Sequence, residues 1–508
     1  MDKSKEVGPK IEGNPKDLAT FFKKKGFIYP SSEIYGGVAG LYDYGHLGTK
    51  LKKNFENLWR TYFLGLNDNF FEIETSVIMP EKVFRASGHL ENFVDPLVKC
   101  KKCEYVERAD HLIEKITTRR VEGFSAEELN ELIQKNKIRC PQCKHELDKV
   151  SVQNLMFPLQ MGANTSNQAY LRPETAQSPY VNFKLQYELL RKKLPLGLAL
   201  IGRAYRNEIS PRNLTLRQRE FTQAELQIFF NPNTLKEHAD FESVKNYPLR
   251  TFLEEDRKAN KEAGKVVERT SEQLVKKGLP KFYVYHLAKI QQFYLEKLKV
   301  PKEKFRLFQL NDQEKAFYNK YHFDLEIELS EHGFTEMGGL HYRTDHDLVG
   351  HQKVSNQSME VLDEETQQKF IPHVLELSFG VDRHVYALLD LAYNEDKERG
   401  NVVLKLPTKL TSFFCAVYPL VKNKEEIVGL AREVYAVIKD GYSCFYDETA
   451  SVGRRYARAD EMGVKYCITI DFDSLEDKAV TIRDRDTTKQ ERVKIAELKN
   501  KLFGLYFW

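Results

Sequence analysis

Four short segments of this chain carry polar or charged residues at a two-residue spacing. In GRAYRNE (202–208) Arg206 and Glu208 lie two apart, and in YLRPET (170–175) so do Arg172 and Glu174. In REFTQAELQIFF (219–230) Phe221, Gln223 and Glu225 alternate with Thr222, Ala224, Leu226 and Ile228. In PHVLELSFG (372–380) Glu376, Ser378 and Gly380 alternate with Leu375, Leu377 and Phe379. On a β-strand this spacing puts one set on each face. A half-solvated strand has the same pattern, but its wet face mixes Lys, Thr and Ser, whereas these positions combine Arg, Glu and an aromatic. A sheet face bearing several Arg and several Glu suits a ligand with both anionic and cationic groups. A nucleotide phosphate together with an amine meets that description.

A second chemistry stands apart. Cys100 and Cys103, then Cys140 and Cys143, form two CxxC pairs with 36 residues between them. Paired thiolates at this spacing wrap a tetrahedral zinc ion, and four of them leave no open coordination position, so the expected site is structural. The gap exceeds the ~15–20 residues of a zinc ribbon, which predicts an extra helical excursion between the pairs. Cys415, Cys444 and Cys467 fall in expected strands and read as core residues.

The elements that must carry these groups can be sketched from pattern. The 508 residues suffice for about three domains. Lys+Arg 78 against Asp+Glu 74 is too balanced to require a nucleic-acid partner and does not repel one. No run approaches the ~18 apolar residues of a membrane span, the first residues lack the apolar core of a secretory signal, and sparse paired cysteines suit a reducing, cytoplasmic setting. Asn14 and Pro15 open a helix that Gly26 stops. Residues 35–48 read as a glycine-rich loop, 48–64 as a helix, and 70–77 as a strand running to Pro80. Strands are expected again at 321–328 and 373–380, with a Lys/Glu-rich helical segment at 233–320 between. Beyond about 408, strands at 413–418, 442–446 and 465–470 alternate with a helix at 423–439, the pattern of a small parallel sheet.

Taken together, RNEISPR (206–212) with REFTQAE (219–225) resembles the second signature motif of class II aminoacyl-tRNA synthetases, and ELSFGVDR (376–383) resembles the third. The helix 48–64, the strand after it and Pro80 are a looser match to the first. EIYGGVAGLYDYGHLG (33–48), RASGH (85–89), RADHLIEK (108–115), LRPETAQ (171–177), GRRYARADEMG (453–463) and VTIRDRDTTKQ (480–490) are similar to strings of the homodimeric glycyl-tRNA synthetases. The likeness runs from about residue 18 to about 498.

That resemblance implies an α+β catalytic core, an antiparallel sheet flanked by helices, in residues 1–97 and 151–405. It also implies a zinc-binding insertion at 98–150, a helical insertion at 233–320 and an α/β anticodon-binding domain at 406–508. It implies an AMP-forming ligase that makes glycyl-adenylate from glycine and ATP with Mg²⁺, then transfers the glycyl group to the 3′ end of glycine tRNA. By motif position Arg206 would hold the α-phosphate and Arg383 the γ-phosphate. Glu208 would meet the adenine edge, Phe221 would stack on the ring, and Asn207, Leu216, Arg217, Glu336, Met337 and Gly380 would complete the ATP site. Glu174, Glu225 and Glu376 would surround the glycine ammonium, Arg108 would engage its carboxylate, and Phe221, Gln223 and Ser378 would close the pocket. Arg454, Arg455 and Arg458 are candidates for tRNA contact.

Clustered carboxylates raise one another's pKa until a cation arrives. Glycine has no smaller natural competitor, so no editing domain is expected. Leu377, Ser178-Pro179 and Leu340-His341-Tyr342 depart from the family's usual residues and leave the pocket walls open. Two rivals remain: a synthetase-like paralogue that binds nucleotide or RNA without charging tRNA, and a zinc-dependent hydrolase, which would need an open metal position and a base such as His111 or His145. The paralogue would have lost a motif arginine or a glutamate, and all are present.

Overall fold

The computed structural model describes residues 15–507 apart from 104, 118–120, 122, 163–167, 212, 260–264 and 364–365. Asn14 and Trp508 lie outside the described residues. The first helix spans Pro15–Lys25 and ends at Gly26, whose φ of 77° is the left-handed conformation that glycine adopts without strain.

Nine strands form the central sheet: β1 (Phe70–Glu72), β2 (Leu196–Tyr205), β3 (Glu220–Phe230), β4 (Pro248–Phe252), β5 (Val267–Thr270), β6 (Phe305–Gln309), β7 (Tyr321–Leu329), β8 (Gly333–Thr344) and β9 (His373–Gly380). Their spatial order is β5-β4-β6-β7-β8-β9-β3-β2-β1. All pairings are antiparallel except β1 with β2 and β4 with β6. Helix α1 (His46–Leu64) buries Leu47, Leu51, Phe55, Trp59 and Phe63, a stripe at four-residue spacing. With helix α3 (Val381–Ala392) it covers one sheet face, where Ala224, Leu226, Ile228, Leu375, Leu377 and Phe379 are buried. On the opposite face helix α2 (Gln177–Leu189) covers only one end, packing Tyr180 and Phe183 onto Leu198, Phe229 and Val374. Across β7, β8 and β9 that face carries His322, Asp324, His341, Glu376 and Ser378.

Two expected elements differ. The strand from Phe70 toward Pro80 is broken after Glu72, and Ile78–Pro80 pairs instead with Gln168–Leu171 in a separate three-stranded sheet. The buried Arg172 guanidinium donates to Thr75 Oγ1 at 2.8 Å and holds the intervening segment in the gap. The 233–320 segment is not simply helical. It contains the helix Lys281–Gln292, but also β4, β5 and β6, which extend the sheet. Phe305 and Leu307 alternate with Arg306 there, a strand period hidden by Lys/Glu-rich flanks.

Residues around the paired cysteines form the helices Ala109–Thr117 and Ala126–Lys135 and a small sheet of Val94–Lys99, Val106–Arg108 and Ser151–Asn154. After residue 408 come β10 (Cys415–Pro419), β11 (Cys444–Tyr446), β12 (Tyr466–Ile470), β13 (Ala479–Asp484) and β14 (Gln490–Lys494), ordered β11-β10-β12-β13-β14. The first three are parallel as expected, but β13 and β14 add an antiparallel hairpin, so the sheet is mixed. Cys415 and Cys467 are buried in it and Cys444 is half-buried. The C-terminal helix Leu498–Phe507 docks Leu502 into the same core.

Asp382, at the start of α3, ties α1 to the sheet. Its carboxylate accepts from Lys52 Nζ at 3.0 Å and Tyr44 Oη at 2.6 Å, and also from the Thr222 backbone N–H. Asp382 is 1% exposed, so removing its charge strands a buried ammonium. Asp382→Ala is expected to lower core stability by about 3–5 kcal/mol, read as a reduced urea midpoint; an unshifted midpoint would show the anchor to be dispensable.

Candidate active site

The polar part of this sheet face is built in rows across strands. One row runs His322, His341, Glu376, Gln227 from β7 to β3, and the next runs Asp324, Gly339, Ser378, Glu225. Because the side-chain period is two, both rows point to the face opposite the apolar core. Together with the turn after Gln168–Leu171 and the loop between β2 and β3, they enclose a cavity of about 310 Å³.

Fourteen of the residues singled out by sequence line this cavity: Glu174, Arg206, Glu208, Leu216, Arg217, Phe221, Gln223, Glu225, Glu336, Met337, Glu376, Ser378, Gly380 and Arg383. Two do not. Arg108 lies in the cysteine-bearing segment, where its guanidinium is 2.9 Å from Asp95 and 2.6 Å from Asp110. Asn207 contributes only a backbone N–H, donated to Leu155 O at 2.7 Å. The reason proposed for Arg206 and Glu208 also changes, because β2 ends at Tyr205 and both residues stand on the loop beyond it. Likewise Gln168–Leu171 ends before Pro173, and Arg172 turns away to donate to Arg203 O at 2.7 Å while Glu174 enters the cavity.

The cavity has two unlike ends. At one, Glu174 and Glu376 gather around Arg343, which sequence reading overlooked, with Glu225 beside them. Arg343 donates to Asp347 at 2.8 and 3.0 Å and to Glu376 Oε2 at 3.1 Å, lies 3.8 Å from Glu174, and stacks under the Tyr318 ring at 4.5 Å. Gln177 bridges Glu174 and Asp347 at 2.9 and 3.0 Å, and His89 approaches Glu174 at 3.5 Å. Three carboxyl groups, of Asp347, Glu376 and Glu174, therefore share one guanidinium.

Burial, then the neighbouring Glu376 and Glu174, raises the Glu225 pKa to about 8. Burial and the Glu174 charge also raise Glu376, although Arg343 opposes this. Glu174 moves the other way: burial works against its charge, but His89 and Arg343 hold it well below the usual range. The expected mutual raising thus holds for two of the three. Ser378 Oγ donates to Glu225 at 2.8 Å, and Gln227 Nε2 to Glu376 at 3.0 Å. An ammonium ligand supplies the charge this end lacks.

At the other end three arginines stand ready. The Arg206 guanidinium is sandwiched between Phe93 and Phe221 at 5.3 and 5.2 Å, with Nε donating to Pro173 O. Arg217 pairs with Glu208 at 2.7 Å, and Arg383 pairs with Glu336 at 3.1 Å. Arg383 and Glu336 side chains are 33% and 50% exposed, so an incoming phosphate can exchange for the carboxylate.

Outside the cavity, the four paired cysteines converge, with all sulfurs within 4.8 Å of one another and pairs at 3.4 and 3.5 Å. Tetrahedral zinc with Zn–S near ~2.3 Å needs sulfurs about 3.8 Å apart, so the cluster fits. In the C-terminal domain Arg455 is 2% exposed and donates to Pro419 O and Leu420 O, which makes it structural; Arg458 is paired with Asp447, and Arg454 is exposed.

Comparison with known proteins follows the same division. Residues 157–392 match the tRNA synthetase class II core domain (G, H, P, S and T), and 415–504 match the anticodon binding domain. The chain is 40% identical to a glycine–tRNA ligase of Pyrococcus furiosus, over 96% of this chain and 98% of that one. It is 37% identical to the ligase of Aeropyrum pernix, over 96% and 95% respectively. Among solved structures, a prolyl-tRNA synthetase from Cryptosporidium parvum complexed with L-proline and AMP superposes with TM-score 0.59 at 12% identity, covering 98% of this chain and 76% of that one. The RNA binding domain of threonyl-tRNA synthetase from the same species gives TM-score 0.59 at 17% identity, covering 97% and 98%. At such identities these two show a shared fold.

The Glu225 carboxyl holds its proton in the folded chain up to about pH 8, against an ordinary 4.5. Its contribution is fully present below the lower value and is lost as pH rises toward the upper one. Glu225→Gln is therefore expected to match the parent in thermal midpoint near pH 5 and to exceed it near pH 8.5; a difference independent of pH would contradict the assignment.

Proposed function

The chain belongs to the glycine–tRNA ligase family of class II tRNA synthetases, and from that premise we propose how its cavity charges tRNA with glycine. The carrying observation is the pairing of an over-acidic buried end with an arginine-lined half-open end in one cavity. The ammonium of glycine binds among Glu174, Glu225 and Glu376, replacing the missing positive charge. ATP lies along the arginines, with Arg206 at the α-phosphate, Arg383 at the γ-phosphate, and the adenine against Phe221 beside Glu208, Leu216, Arg217, Met337 and Gly380. Glu336, half-exposed, has its carboxyl held below the usual range by Arg383 against partial desolvation. It would hold the Mg²⁺ that arrives with ATP and screens the phosphates.

A glycine carboxylate oxygen attacks the α-phosphorus in line, the bond to the β-phosphate oxygen breaks, and pyrophosphate leaves. The tRNA 3′-terminal ribose hydroxyl then attacks the glycyl carbonyl carbon, and AMP leaves. Positioning and charge stabilisation supply most of such catalysis. Arg108 is held by Asp95 and Asp110, whereas Arg343 is a buried guanidinium in contact with two of the ammonium-binding glutamates, Glu174 and Glu376.

The cysteine cluster is read as a structural zinc site in the 98–150 insertion. Four thiolates fill its coordination, which disfavours the hydrolase reading. The chain is read as a cytoplasmic homodimer. Strand β1 leaves one sheet edge open, Phe71 and Leu189 line a surface groove beside it, and Ile78, Leu185 and Leu189 are 41%, 58% and 65% exposed. Such an edge and apolar surface favour pairing with another chain.

Labelled pyrophosphate should exchange into ATP with glycine and not with alanine or serine, in the absence of tRNA. Arg206→Ala should slow that exchange about 10²–10³-fold. No exchange from folded parent enzyme would favour the silent paralogue. Separately, the purified chain should carry one zinc per chain, lost in Cys140→Ser together with thermal stability. A variant that kept its metal by elemental analysis would rule this site out.

A further inference from the structure

We propose that the His341 imidazole is the wall that confines the amino-acid pocket to glycine. This rests on the reading of the cavity as the glycine site and assigns its specificity to one side chain.

His341 stands on β8 between two registered neighbours, His322 on β7 and Glu376 on β9. In the adjacent row β8 has Gly339, which projects no side chain between Asp324 and Ser378. The His341 ring leans into that vacancy: a Cβ built on Gly339 would lie 2.3 Å from its Nε2. The same Nε2 is 3.7 Å from Glu376 Oε1. The ring therefore borders the carboxylates that would hold the ammonium, and the substrate Cα is only one bond from that nitrogen. A methyl on Cα that points toward β8 meets the imidazole.

A wall discriminates only if it cannot yield. His341 packs against the His322 ring at 4.0 Å between centroids, and His322 Nε2 sits 3.0 Å from Asp324. On its other side the Asn319 side-chain amide nitrogen is 3.3 Å from His341 Nδ1. Glycine at 339 leaves the space the ring occupies, because a side chain there would collide with it. Burial, with His322 and Arg343 nearby, keeps the imidazole uncharged by pushing its pKa well below the ordinary value. The ring therefore does not compete with the ammonium for Glu376.

The test is the ratio of kcat/KM for glycine to that for alanine in pyrophosphate exchange, measured for the parent, His341→Ala and His341→Gln. This ratio is independent of the fraction of enzyme that folds, so a merely structural role would leave it unchanged. Removal of the ring in His341→Ala is expected to lower the ratio by about 10–200-fold, the discrimination one methyl-sized difference supports. His341→Gln, which retains bulk without the clamp, should fall between. Ratios within twofold of the parent in both variants would overturn the proposal and place the wall elsewhere. Absence of glycine-dependent exchange in the parent would instead remove the functional reading beneath it.

Discussion

The Arg343 guanidinium is the interaction on which the cavity depends. It is 3% exposed at its side chain and faces Asp347, Glu376 and Glu174. Three carboxylates in a low-dielectric site cannot all stay charged around a single cation without strong mutual destabilisation. The structure resolves this by division. Asp347 takes the bidentate pairing, Glu174 gains His89 and Gln177, and Glu225, farthest from compensation, keeps its proton near neutrality. The result is a site preorganised for a cation, at a stability cost the fold carries elsewhere.

That cost falls on the opposite sheet face. The strands that present Glu225 and Glu376 present Ala224, Leu226, Leu375 and Leu377 to the core beneath α1 and α3. A one-residue slip of β3 or β9 would exchange the two sets, burying glutamates in hydrocarbon and exposing leucines. Register and site chemistry are thus fixed by the same pattern. Asp382 extends the link by joining the start of α3 to Thr222 on β3 and to Lys52 on α1.

This explains what could be read from sequence. Gln223, Glu225, Glu376 and Ser378 were legible because a strand's period of two is visible in the string itself. Glu174 and Arg206 also line the cavity, although both stand on loops and the strand argument offered for each does not apply. Arg343, His89 and Tyr318 were missed because their partners come from separate elements, and no spacing along the chain encodes that convergence. Arg108 stands outside the cavity lining: its string is distinctive, but Asp95 and Asp110 beside it pair with its charge. The strands β4, β5 and β6 were hidden because short alternations such as Phe305 and Leu307 are diluted by charged flanks.

The two ends of the cavity also differ in how firmly their charges are held, and on the proposed reading the difference suits an ammonium at one end and phosphates at the other. At the acidic end the Arg343–Glu376 pair is almost wholly withdrawn from solvent, its side chains 3% and 5% exposed. At the other, Arg383 and Glu336 are 33% and 50% exposed. A buried pair keeps its geometry because breaking it leaves an uncompensated charge, whereas a half-exposed pair is worth about 1 kcal/mol or less. Arg383 can therefore leave its carboxylate for phosphate at little cost, while Glu376 stays fixed by its buried pairing with Arg343. Small-ligand selection calls for a rigid site, and an arriving triphosphate calls for exchangeable partners. Both are met in one cavity by placing its ends at different depths below the surface.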